Sequence, residues 1–149
     1  MRTDDGLLVV GVGEGLVGPD DIVVKLQSSE TGGRWGVAIV AGVPGEGGRT
    51  HLHRGEPEGF FVLDGEIELL GASSRTPIGA GTFVLVPPDT EHGLRIVGAG
   101  PARWLAIWPA ALDGFVEAMR GVDPDDGAAA GEVRIRHGIV TGRDRRQDE

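Results

Sequence analysis

His51 and His53 stand two residues apart, and Glu58 follows five residues after the second histidine, inside the stretch GEGGRTHLHRGEPEGFFVLDG that runs from Gly45 to Gly65. A strand repeats its side-chain direction every second residue, so the two imidazoles project from one face. With Gly55 to Pro57 in a turn, the following strand is expected to bring Glu58 back beside them, with Phe60 and Val62 on the same face. Two neutral imidazoles and a carboxylate converging on an apolar surface form a nitrogen and oxygen donor set suited to a first-row divalent metal. A third histidine, His92, lies in a second strand-like stretch after Pro87-Pro88-Asp89. A lone histidine on a strand is more often a surface or satisfied core residue. Here two of only four histidines sit at a chelating spacing and a third joins them, and the joint pattern favours a shared ion.

The elements that must position these residues read as β. At 149 residues the chain has the length of one domain, and 27 glycines punctuate apolar runs rather than forming a low-complexity tract. Residues 1–6 read as a loose terminus and residues 7–12 as a short strand. Gly11, Gly13, Gly15 and Gly18 invite comparison with a dinucleotide loop, but Leu16 stands where the last glycine belongs and no helix pattern follows, so turns are expected. Further strands are expected over residues 22–26, 35–43, 60–63, 66–70, 82–86, 92–97 and 102–108, with a short segment over 76–78. Asp64-Gly65 between apolar runs predicts a hairpin. Eight or nine short strands with regular turn signals indicate an antiparallel barrel or sandwich. From Ala110 the period changes: Leu112, Phe115, Val116 and Met119 predict an amphipathic helix on the outside, and residues 128–136 a second short one. The core domain is thus placed at residues 7–122, a C-terminal extension at 123–142 and a disordered charged tail at 143–149.

Composition removes several function classes. Lys and Arg number 14 against 23 Asp and Glu, and the net charge of -9 opposes phosphate backbones and anionic membranes, so neither nucleic acid nor membrane is an expected partner. Without cysteine there are no disulfides, thiolate metal sites or cysteine nucleophiles, and without tyrosine there is no phenolic acid catalysis. The apolar run of residues 7–12 follows Asp4 and Asp5 and is far too short to cross a bilayer, so a cytoplasmic protein is expected. His137 stands in mixed, charged surroundings and reads as a surface residue.

At these residues the chain resembles the small single-domain cupins, in particular the quercetin-dioxygenase-like group. Gly45, His51, His53, Glu58 and Gly65 match the first cupin motif, and Gly81, Pro87 and His92 match the second. Asp89 replaces a glycine of the second motif and Ile96 its asparagine. The first change is mild, because Asp tolerates a left-handed turn position, and the second is chemically larger. The resemblance implies an all-β antiparallel jelly-roll barrel with one or two short C-terminal helices packed outside. It implies one divalent ion per chain, iron, manganese, nickel or zinc, held by His51, His53, Glu58 and His92. The leading expectation is an iron- or manganese-dependent dioxygenase-like enzyme acting on a small, largely apolar organic or aromatic substrate. Glu58 would be both ligand and proton acceptor, and Phe60, Val62 and Ile96 would line the substrate pocket. Two other readings are a redox-neutral isomerase or polyketide cyclase-like enzyme and a non-catalytic small-molecule-binding cupin. Trp104 and Trp108 share a strand face, where core packing is more usual than substrate stacking. A homodimer is the expected assembly.

Overall fold

Two antiparallel sheets carry almost all of the regular structure in the computed structural model, which describes residues 1–19 and 21–142. The first six-stranded sheet contains β1 (Leu16–Val17), β2 (Ile22–Leu26), β3 (Trp35–Gly42), β5 (Glu58–Asp64), β8 (Phe83–Val86) and β10 (Ala102–Pro109), in the order β1-β2-β3-β10-β5-β8. The second, five-stranded, contains β4 (His51–His53), β6 (Glu66–Gly71), β7 (Arg75–Gly79), β9 (His92–Ile96) and β11 (Ile139–Thr141), in the order β11-β4-β9-β6-β7. Two short helices, α1 (Phe115–Arg120) and α2 (Gly127–Arg136), precede the last strand. No described helix is long and apolar enough to cross a membrane.

The interior lies between the sheets. Val62 of β5 and Ala102 of β10 meet Ile67 of β6 and Ile96 of β9 in one buried cluster, which joins the two layers. A second cluster of Val24, Ala38, Trp108, Leu112, Val116 and Ile139 packs the segment around α1 and the strand β11 against the first sheet. Alternation accounts for the choice of residues. Along β10, Ala102, Ala106 and Trp108 are buried while Arg103 and Ile107 face outward. The outer face of β5, β8 and β10 leaves Phe61, Leu63, Phe83, Leu85 and Ile107 exposed.

Asp64-Gly65 turns the chain but does not make the predicted hairpin. β5 pairs with β10 and β8, and β6 with β7 and β9, so the turn carries the chain from one sheet to the other. The tight hairpin turn needs positive φ at both central residues, whereas here only Gly65 adopts it, at 87°, and Asp64 stays in the strand opposite Arg103. At Gly65 a Cβ would stand 2.5 Å from the Cα of Ala102. Gly65→Ala combines the strain of a left-handed conformation with a backbone overlap, and is expected to lower unfolding stability by about 3 kcal/mol in urea titration.

Other departures have equally local causes. Residues 7–12 do not form a strand: Leu8 makes one isolated bridge to Arg2, and Leu7, Val9 and Val12 are exposed. The chain instead folds back through Asp4-Asp5-Gly6, with Val9 N donating to Met1 O at 2.9 Å, and leaves no sheet neighbour for that run. The expected helix from Ala110 is interrupted. Ala110–Leu112 is a 3-10 turn, Asp113 turns aside to accept from the backbone N–H of Ser28 and Ser29, and Gly114 at φ 75° resets the chain before α1. The segment over 76–78 is a full edge strand, β7, in which Pro77 is tolerated because β7 has a single neighbour. The strand β11 was not expected at all. The charged tail expected to be disordered, residues 143–149, lies outside the described residues.

Candidate metal centre

His51 and His53 occupy the two ends of β4, a strand too short to offer any other residue to that face. His51 is registered directly opposite His92 of the neighbouring β9, which brings their ring centroids to 4.5 Å. His53 lies 5.0 Å from His51 and 5.5 Å from His92 by the same measure. Glu58 arrives by a different route from the one the spacing suggests. It does not return along a strand paired with β4. Residues 54–57 cross between the sheets, and Glu58, the first residue of β5, reaches the histidines from the facing sheet. Its Oε2 stands 2.9 Å from Nε2 of His53 and 2.9 Å from Nε2 of His92. The ligand atoms of all four residues lie within 4.8 Å of one another.

The turn after β8 holds this arrangement. Asp89, at φ 58°, adopts the left-handed position that its replacement of a glycine requires. Its backbone N–H donates to His53 O at 2.9 Å, and its carboxylate accepts from Gly55 N at 3.2 Å. One residue on, Thr90 O accepts from Nδ1 of His92 at 2.9 Å. Thr50 Oγ1 donates to Glu91 at 2.6 Å, tying the approach to β4 to the approach to β9.

Electrostatics leave the four groups ready to exchange protons for a cation. Burial pushes the His51 imidazole down to about 4, with the neighbouring His92 and His53 rings adding to the effect. Burial works against the ionised Glu58, but the His53 and His92 imidazoles facing its oxygen outweigh it and hold the carboxyl at about 2. For His92 burial again opposes the charge, yet acceptance by Glu58 and by the Thr90 carbonyl lifts its pKa above the ordinary value. Both ring nitrogens of His92 face oxygen atoms, an arrangement that favours the imidazolium paired with Glu58 when no cation is bound. His53 is buried, its Nε2 in contact with Glu58 Oε2 at 2.9 Å and its Nδ1 without a hydrogen-bond partner among the described residues. A buried imidazole with one unpartnered nitrogen, set beside a neutral imidazole and an ionised carboxylate, fits a divalent ion. These four residues fit such an ion, and Nδ1–H of His92, held on Thr90 O, fixes the tautomer that leaves Nε2 free to coordinate.

Proton competition should therefore govern occupancy. Uptake of a cation displaces the proton on His92 Nε2, so apparent affinity falls about tenfold per pH unit once the pH drops below the raised pKa of His92, which lies above 6.5. His51 adds a second proton only near pH 4, and Glu58 stays ionised to about 2. Zinc titration across pH 5 to 8 by calorimetry checks this, with affinity that weakens toward the acid end as the expected result.

Two cavities flank the cluster. One, of about 590 Å³, has Phe60, Leu94, Ile96 and Trp104 on its apolar wall and Asp21, Glu46 and Arg49 at its polar rim. The other, of about 530 Å³, lies toward Trp108, Leu112, Phe115 and Ile139. His51 and Glu58 border both. Phe60 and Ile96 line the first cavity, whereas Val62, two residues further along β5, is absent from either wall and packs in the core with Ile67 and Ala102. Trp104 and Trp108 divide between the two cavities, and Trp108 is at the same time part of the core. His137 stays apart from the cluster, its Nδ1 2.7 Å from Ala111 O and its ring against Phe115. Arg49, which lines both cavities, and Arg134, which lines the second, were not singled out by the sequence. Arg49 carries a legible signal, since it precedes His51 by two residues; Arg134 carries none.

Residues 39–108 match the sequence profile of the family described as the cupin domain. The chain is 31% identical over 91 residues to a quercetin 2,3-dioxygenase from Bacillus subtilis, an alignment covering 60% of this chain and 27% of that protein, so the chain spans only about a quarter of that relative. Among solved structures, one described as a predicted oxalate decarboxylase from Thermotoga maritima superposes with a TM-score of 0.56 at 23% identity, covering 58% of this chain and 76% of the other. A polyketide cyclase from Streptomyces resistomycificus superposes at 0.55 and 17% identity, covering 74% and 77%. At those identities the two structures speak for the fold alone.

Proposed function

We propose, from the premise that this chain is a small cupin-domain protein, that it is a metal-dependent dioxygenase-like enzyme acting on a small, largely apolar organic molecule. The single observation that carries this reading is the buried cluster of three histidines and one glutamate set between two cavities with apolar walls. The likeness to a quercetin 2,3-dioxygenase supports the reaction class. We take the two facing sheets as the walls of a jelly-roll barrel, with the cluster inside it.

When bound, an iron or manganese ion would supply Lewis acidity and one-electron chemistry toward dioxygen. The chain's own residues supply the rest. His51, His53 and His92 present neutral nitrogens once the His92 proton has left, and Thr90 O keeps the His92 ring in register. Glu58 Oε2, already an acceptor for the His92 N–H, is positioned to take the hydroxyl proton of an enol or phenol entering beside it. Phe60, Leu94 and Ile96 give one side of the cluster an apolar wall and Trp108 and Leu112 the other, surfaces suited to the body of an apolar substrate.

Oxygen uptake by the iron- or manganese-loaded protein with flavonols, diketones and aromatic polyketides tests the reading. Substrate-dependent uptake supports it. Full turnover with zinc and no oxygen consumed would overturn it in favour of redox-neutral isomerisation or cyclisation.

A further inference from the structure

The two cavities that flank the cluster carry opposite charge. The one toward Trp104 sets Asp21 and Glu46 against Arg49. The one toward Trp108 is lined by Arg49 and Arg134, and among the described residues Glu58 is its only acidic one, already engaged by two imidazoles. Among the described residues neither Arg49 nor Arg134 is in an ion pair, although the chain has a net charge of -9 and carboxylates abound. Arg134 is half-buried on the inner side of α2, and Arg49 is exposed two residues before His51. Between these guanidiniums and the core, the cavity presents Ile22, Trp108, Leu112, Phe115 and Ile139.

A cavity with two guanidiniums that make no ion pair among the described residues, facing an indole, a phenyl ring and aliphatic side chains, matches an amphiphilic anion. Guanidinium binds a carboxylate through paired, charge-assisted hydrogen bonds, and its geometry makes it selective for planar oxyanions. The volume of about 530 Å³ is within the range of sites that enclose a ring-sized ligand. Because His51, His53 and Glu58 border the same space, a molecule held there has its body beside the cluster.

We propose that the substrate occupies the cavity bounded by α2 and β11 and is an apolar or aromatic carboxylate, its acid group on Arg49 and Arg134 and its body against Trp108, Leu112 and Phe115. This rests on the reading of the cluster as a substrate-processing site and names the substrate class for it. It also makes Arg134 a specificity residue supplied from outside the span that matches the family profile, which ends at residue 108.

The test is a binding measurement that requires no turnover. Quenching of tryptophan fluorescence in the full-length, metal-loaded protein is titrated with 2-naphthoate and with its neutral counterpart 2-naphthamide. The carboxylate is expected to bind about tenfold more tightly, the value of one charge-assisted hydrogen bond. Arg134→Gln and Arg49→Gln should each erase most of that preference while leaving naphthamide affinity and metal content as they were. Arg134→Lys should restore part of it.

Equal affinity for the two probes, or a carboxylate preference that survives both glutamine variants, overturns the proposal. The second of these outcomes would place the carboxylate on the cation instead. No binding of either probe overturns it as well. Failure of the oxygenase reading would appear separately, as a charge preference intact in a protein that consumes no oxygen.

Discussion

Replacing His51 and His53 together by alanine is expected to take the purified protein from about one equivalent of divalent metal per chain to background by elemental analysis. The effect is large because the two rings are half of the ligand set, and the remaining His92 and Glu58 satisfy each other at 2.9 Å without a cation. With two ligands gone, that internal ion pair has no reason to give up its proton. Circular dichroism of the variant should match that of the parent, since β4 keeps its pairing to β11 through the backbone. A variant that still carries one equivalent would remove the cluster from the mechanism.

Glu58→Gln is expected to lower kcat by about two to four orders of magnitude, the range associated with loss of a positioned general base. Metal content should fall far less than in the double histidine variant, because three imidazoles are by themselves a competent ligand set. The split between those two readouts separates a proton-handling role from a purely ligating one. The amide keeps the shape of the carboxylate but cannot hold a charge between His53 and His92, where burial alone would push the acid toward its neutral form. Retained turnover with retained metal would leave Glu58 a ligand only.

The sequence made the members of the cluster legible but not the way they meet. Alternation along a strand is a local property, so the shared face of His51 and His53, and of Glu58 and Phe60, followed from spacing alone. Which sheet each strand joins is decided by long-range pairing. Both connections flanking β5 therefore looked like returns to a neighbouring strand and proved to be crossings between sheets. Asp64-Gly65 has the composition of a hairpin turn, but packing of Val62 against Ile67 across the interior overrode it. The strand β11 was invisible for a simpler reason. Ile139, Val140 and Thr141 are three residues after a glycine, too few to show a period of two, and they exist as a strand only because β4 presents a free edge. Arg134 then reaches the cavity through a helix whose sequence is mostly alanine, glycine and charge, with no stripe to announce an inner face.

That last strand bears on how the ligand set is held. The histidine strand β4 is held by one registered pair to β9 and by three to β11, Ile139 with His53, Val140 with Leu52 and Thr141 with His51. Its principal clamp comes from more than eighty residues later in the chain, a long-range pairing whose loop-closure entropy must be met before the ligand geometry is set. An ion held by the four ligands would stabilise the docking of β11 by mass action. Loosening of β11 would release the strand that carries two of the four ligands, so the docking of Ile139–Thr141 and the affinity for an ion are linked.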